Sequence, residues 1–285
     1  MSNLDHDDFL FLDFSKRSTE LPSTPALDHP VDVVTDIPPP RRHQPTAPMA
    51  LPKPSRAERP VPAASLAHCT THAVLGGDDG YRIQSESHLE FSHQMILNCF
   101  PNVISIQEQV FFFFGWNPKF PIERIFDMVV TLNCGSRVAV TVKPEVRLVS
   151  GEFLKDMGEV AWWVKKLGFA DELRLLTDAD LDPVSLENAK IFAAVREIDA
   201  EADAVAMDVA MSLPHGGGRS LRELVDQTSL AGRGYRALVR LVRRDVLRLA
   251  KHEVIKPKSV VMNATNPALL PDHLSPRRMI LSAAA

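Results

Sequence analysis

Ile122-Glu123-Arg124-Ile125-Phe126-Asp127-Met128-Val129-Val130-Thr131-Leu132, then Asn133-Cys134-Gly135-Ser136, then Arg137-Val138-Ala139-Val140-Thr141-Val142-Lys143-Pro144 is the stretch that decides the fold. The first run is apolar and β-branched, as a strand requires. Asn133 to Ser136 has turn composition. Arg137 to Val142 reads as the next strand, which Lys143 closes. Upstream, Val103 to Phe114 is another β-rich run, and its consecutive phenylalanines 111–114 predict a strand buried on both faces. Before it, Ser87 caps a helix with Glu90 as its capping-box partner, and that helix runs to about Asn98 and stops ahead of Pro101.

Downstream, Phe153, Leu154, Met157, Val160, Trp163 and Val164 recur at helical spacing over Glu152 to Leu167. Leu173 to Leu176 reads as a short strand and Ser185 to Arg196 as a helix. Strands followed by helices over one core predict an α/β domain, residues 76–198. The character changes at 199. Ala200 to Leu213 predicts a helix, Ser220 to Gln227 a short one, and Tyr235 to about Leu247 a third, preceded by Gly232 and Gly234. Val254 to Val261 predicts a β wing. This order predicts a winged helix-turn-helix domain over 199–265.

Residues 1–75 are rich in Pro, Ser, Thr and Ala, and repeated prolines through Pro62 predict a disordered tail. Within it, Asp8-Phe9-Leu10-Phe11-Leu12-Asp13-Phe14 is an acidic-aromatic patch suited to folding onto a partner. Residues 266–285 predict a second flexible tail. Hydrophobic content of 45% and charged content of 24% fit a soluble globular protein. Cys69, Cys99 and Cys134 are scattered and build no disulfide framework. The start lacks the basic and apolar runs of a signal peptide, and no apolar segment is long enough to span a bilayer, so the expected location is the cytoplasm.

With a formal net charge of −4, nucleic-acid contact has to be local. Residues 219–258 supply the place: eleven Arg and Lys stand against four acids. Arg233, Arg236, Arg240, Arg243 and Arg244 are the expected DNA-binding residues.

Glu90 on a helix, Asp127 in a strand and Lys143 at the end of the next suit metal-dependent cutting of a phosphodiester. Hard cations such as Mg²⁺ or Mn²⁺ take carboxylate oxygens, and a lysine orients water or stabilises a charged phosphate. Each residue also has a plain structural reading, as cap, ion-pair partner or strand end. Their order and the strand pattern favour chemistry.

Residues 81 to about 192 resemble the TnsA family, the endonuclease subunit of heteromeric transposases within the restriction-endonuclease-like superfamily. The resemblance rests on Ser87-His88-Leu89-Glu90, Pro101 to Gln109, Phe126 to Val130, Arg137 to Pro144, Leu175-Leu176-Thr177-Asp178 and Asn188. It implies a restriction-endonuclease-like mixed sheet flanked by helices, followed by a helix-turn-helix domain. It implies Glu90 and Asp127 as metal ligands and Lys143 as the catalytic lysine, with DNA, a transposase subunit and an AAA-type ATPase as partners. Thr141 falls at the third ligand position, where the family has glutamine or an acid. A backbone carbonyl, a water or Glu145 are the possible substitutes. Phe126 replaces a proline. The threonine keeps open a non-catalytic DNA-binding or assembly subunit, and a third reading is a regulator working through its C-terminal domain alone.

Other motifs lead nowhere. His88 and His93 are five apart, the wrong spacing for a His-Glu-x-x-His zinc site. His68, Cys69 and His72 are too few for a closed zinc site. His215-Gly216-Gly217-Gly218 has no matching Gly-x-Ser-x-Gly elbow, and no Walker loop occurs. Of Trp162 and Trp163, at least one is expected to pack against the sheet.

Overall fold

The capping signal at Ser87 opens the first helix. In a computed structural model that describes residues 51–61, 69–214 and 217–264, the Ser87 side chain accepts from the Glu90 backbone, and helix α1 runs His88–Leu97. The acidic-aromatic stretch 8–14 and the tail 266–285 lie outside the described residues. Ahead of α1, β1 (Thr71–Leu75) and β2 (Tyr81–Ser85) form an antiparallel pair. This pair corrects the tail boundary expected at 75. So do residues 51–61, which lie against β2 and the sheet, with Val61 buried. Proline spacing masked them, because they attach mainly through side chains and not through a ladder.

The central sheet has the order β3-β4-β5-β6, with β3 Val103–Phe114, β4 Ile122–Leu132, β5 Arg137–Val142 and β6 Glu172–Leu176. The first three strands are antiparallel and β5 pairs with β6 in parallel. A parallel pair needs a crossover, supplied by helix α2 (Glu152–Lys166). Helix α2 covers one face through Met157, Val160, Trp163 and Val164, packed on Phe112, Phe114, Phe126 and Ala139. The other face, with Ile106, Met128, Val130, Val138, Val140 and Val142, lies under α1 and under Ala189 of helix α3 (Pro183–Ala194). Trp163 is buried and Trp162 half exposed, so one tryptophan packs as expected.

The C-terminal lobe is built from α4 (Ala200–Met211), β7 (Arg219–Ser220), α5 (Leu221–Thr228), α6 (Ala231–Arg243), β8 (Leu247–Leu249) and β9 (Val260–Asn263). Its three strands pair antiparallel in the order β7-β9-β8. Two expectations are corrected here. Helix α6 begins at Ala231, not Tyr235, so Gly232 and Gly234 lie inside it. Gly234 is required there because a Cβ would sit 2.1 Å from the Thr228 hydroxyl of α5. The helix also ends before Leu247, because Asp245 adopts a left-handed φ of 59°. The predicted wing strand 254–261 is instead a hairpin of β8 and β9, with 250–259 as its loop.

The molecule is mixed α/β, with six α-helices among the described residues. None of these helices is long and apolar enough to cross a membrane.

Candidate active site

Asp127 sits where the sheet changes character. In an ordinary strand, even-numbered neighbours share a face. Here Met128 and Val130 pack under α1 and α3, whereas Phe126 packs under α2. Strand β3 makes the same change between Ile106 and Phe112. The reversal falls between the cross-strand pairs Glu108–Met128 and Val110–Phe126, the level of Gln109 and Asp127. Gln109 has a φ of 51°, a backbone state that side chains rarely adopt. On the other side of Asp127, pairing of β4 with β5 stops at Met128–Val140. The Asp127 carboxylate takes over the ladder, accepting from the Val142 backbone at 2.6 Å and from the Thr141 hydroxyl at 3.2 Å.

Glu90 comes from α1. Its two oxygens accept from the Ser87 hydroxyl at 2.8 Å and the Glu86 backbone at 3.0 Å, so it reaches the residue before the cap and does not close the expected capping box on the Ser87 backbone. The side chain is buried, and burial raises its pKa to about 7, with the Asp127 charge adding to the rise. Burial likewise raises Asp127, opposed by its bond to Val142 and by the Lys143 charge. The three expected residues are therefore electrostatic neighbours, brought together from α1, β4 and the end of β5. Lys143 is partly exposed, with its ammonium 5.8 Å from the Phe153 ring centre. Thr141 is buried, and the hydrogen bond of its hydroxyl is spent on Asp127. Glu145 is exposed, and its backbone donates to Asp178 at 2.7 Å.

A buried and a half-buried carboxylate with raised pKa, beside one lysine, are suited in chemistry to a divalent cation. Among the described residues no three His, Cys, Asp or Glu side chains gather closely enough to form a full cage. Mg²⁺ fits such a set, because it takes one or two carboxylates and keeps several waters. Glu90 and Asp127 are the residues that would hold it. The rejected zinc pair is otherwise engaged: His93 donates to the Thr177 carbonyl at 2.9 Å, and His88 lies 3.4 Å from Ser92.

Sequence reasoning missed Arg59, Glu86 and Gln109. The negative charge of Glu86 raises the pKa of both Glu90 and Asp127. Arg59 forms an ion pair with Glu86 and donates to the Gln109 side chain at 2.6 Å. The signal for Glu86 was present in its place beside the cap. Arg59 carried none, because it lies in a proline-rich stretch.

The arginines of α6 divide. Arg233 binds Asp199 and Glu201 at 2.7 and 2.6 Å. Arg240 is buried, paired with Asp203 at 2.5 Å and donating to the Val195 carbonyl. Arg243 donates to the carbonyls of Gly76 and Asn98, each at 3.2 Å, tying the lobe to the β1–β2 turn and the end of α1. Of the five expected DNA contacts, Arg236 and Arg244 are exposed, and Arg233 keeps a side chain 42% exposed within its ion pairs. Arg240 and Arg243 are engaged within the fold, and the exposed basic side chains nearby are Arg236 and Arg244 together with Arg219, Arg222, Lys251, Lys256 and Lys258.

No family model matches the chain, and no curated protein matches it.

Proposed function

We propose that this protein is a metal-dependent DNA endonuclease subunit of the TnsA-like kind, cutting at transposon ends alongside a transposase and an AAA-type ATPase. One observation carries the reading: two carboxylates from different elements, the buried Glu90 and the half-buried Asp127, press their charges together beside Lys143. Structural acids are normally paired off when buried. A helix, three antiparallel strands, a crossover helix and a parallel strand also follow the order the family resemblance implies. The helix–strand–helix–helix–hairpin order of the C-terminal lobe supports a winged helix-turn-helix, with Arg236 and Arg244 as its DNA contacts.

In this reading Glu90 and Asp127 would hold Mg²⁺ or Mn²⁺, which when bound would supply charge for the phosphate and an acidified water. Lys143 stabilises charge on the phosphate or orients the attacking water. Thr141 and the Val142 backbone hold Asp127 in position.

The test is cleavage of supercoiled plasmid carrying the element's ends, with partner proteins and Mn²⁺. The expected result is nicking or cutting by the wild type that drops at least about 100-fold in Asp127→Ala and Lys143→Ala. Equal products from all three proteins would end the proposal.

A second reading, a non-catalytic DNA-binding or assembly subunit, is favoured by Thr141. Its hydroxyl satisfies Asp127 where a third ligand would otherwise stand. That reading expects DNA or partner binding unchanged by Lys143→Ala and no cleavage under any condition.

A further inference from the structure

Residues 51–61 cross the molecule beside the candidate site, held by side chains more than by backbone. Lys53 bridges to Tyr81. Ser55 donates to the buried Glu108, and Arg56 donates to the Ile106 carbonyl at 3.1 Å, its guanidinium 4.8 Å over the Tyr81 ring. Glu58 accepts from the Phe111 backbone at 2.7 Å and from Gln107 at 3.2 Å. The Arg59 carbonyl accepts from Gln84 at 3.0 Å. Prolines at 52, 54, 60 and 62 keep this stretch from joining the sheet as a strand.

Arg59 is where the strap meets the site. Its guanidinium reaches Gln109, at the level of Asp127 in the neighbouring strand, and pairs with Glu86. Glu86 directly precedes the cap of α1, and its backbone donates to Glu90. Both partners of the ion pair are about one-third exposed. Around it the seam is incompletely satisfied: Arg59 Nε, Gln109 Nε2, Ser85 Oγ and Glu108 Oε2 are buried without a hydrogen-bond partner. Such a seam is held less firmly than a sheet ladder. Glu86 is the third carboxylate of the neighbourhood, and its charge is felt by Glu90 and Asp127 alike.

We propose that Arg59 is an intramolecular counter-ion to the candidate site, neutralising Glu86 and competing there with a divalent cation. Lifting the strap would return a negative charge beside Glu90 and Asp127. This inference rests on the metal-site reading given above and adds a regulator to it: whatever displaces residues 51–61 strengthens cation binding.

Mn²⁺ binding to the full chain, measured by isothermal titration calorimetry, tests it. Arg59→Gln is expected to tighten Mn²⁺ about two- to fivefold, the scale of a half-exposed ion pair. Arg59→Lys, which keeps the charge, is expected to bind as the wild type does. Glu86→Gln is expected to weaken binding at least about twofold and to abolish the gain from Arg59→Gln in the double variant. Unchanged or weaker binding by Arg59→Gln, even with a lowered melting temperature, would mean that the strap is only structural. Should Arg59→Gln not fold, Glu86→Gln decides, and unchanged affinity there overturns the proposal. Asp127→Asn separates the two readings. If it abolishes binding while Arg59→Gln changes nothing, the counter-ion falls and the metal site stands. If Mn²⁺ binds equally with and without Asp127, or not at all, both fall.

Discussion

Glu90 has two duties that conflict. In the first turn of α1 it accepts two hydrogen bonds, which favour its ionised form, yet burial and Asp127 favour the neutral form, and together they win. The consequence for stability has a definite sign. With a folded pKa of about 7 against an ordinary 4.5, the folded chain keeps a proton between those pH values that the unfolded chain has released. Stability therefore falls as pH rises through that window, and the cost is complete above it, on the order of 3 kcal/mol. Glu90→Gln keeps a side-chain acceptor and removes the charge. In urea unfolding with EDTA present, it should be more stable than the wild type at pH 8 and about equal to it at pH 4.5. A gap of the same size at both pH values would show that the charge of Glu90 is not the cause. Glu90, Asp127 and Lys143 were legible in the sequence because each sits at a fixed offset from a strong local signal: a cap, a strand, a strand end. Gln109 was not, because a positive φ at glutamine leaves no compositional trace. Arg59 was not, because its partners lie 27 and 50 residues away.

At the scale of elements, helix α6 shows how a local signal misled. Gly232 and Gly234 read as a break before a helix, since glycine weakens a helix interior by about 1 kcal/mol. Tertiary contact overrides that preference. Helices α5 and α6 approach so closely at Thr228 that only glycine fits at 234, and the Thr228 hydroxyl is fixed by donating to the Val225 carbonyl and accepting from the Leu230 backbone. A methyl there would meet the hydroxyl oxygen at 2.1 Å and the Thr228 Cβ at 3.1 Å. Gly234→Ala should therefore cost about 1–3 kcal/mol, the range for overpacking, despite alanine's better helix propensity. Gly232→Ala meets only the end of the flexible Arg236 side chain, at 3.7 Å, and should be neutral or stabilising. Chemical denaturation of the two variants checks the contrast, and equal effects would refute the close-approach argument. The arginines of α6 misled for a related reason. A run of basic residues at helical spacing looks the same whether it faces water or faces Asp199, Asp203 and two carbonyl groups of the other lobe.

For the molecule as a whole, the composition change at 199 is a boundary in sequence but not in packing. The core of the C-terminal lobe includes Val195, with Ile191 and Phe192 against it, all from the α3 side. Asn188 of α3 donates to the Glu253 carbonyl at 3.0 Å and accepts from the Ile255 backbone at 2.8 Å, pinning the hairpin loop. The buried Arg240 gives one of its hydrogen bonds to the Val195 carbonyl. A fragment that starts at Ala200 would lose all of these and leave the guanidinium of Arg240 with Asp203 alone. A buried polar group stripped of a partner costs about 1–3 kcal/mol, and uncovering two or three large apolar side chains costs more. A regulator acting through an isolated C-terminal domain is therefore better sought in a fragment that starts at Asp182, which brings α3 and its own cap. In thermal melts followed by circular dichroism, the 182–264 fragment should unfold cooperatively, and the 200–264 fragment should melt at a markedly lower temperature or show no transition. Matching melts would mean that α3 belongs to the sheet domain alone, and that the composition boundary at 199 is also the physical one.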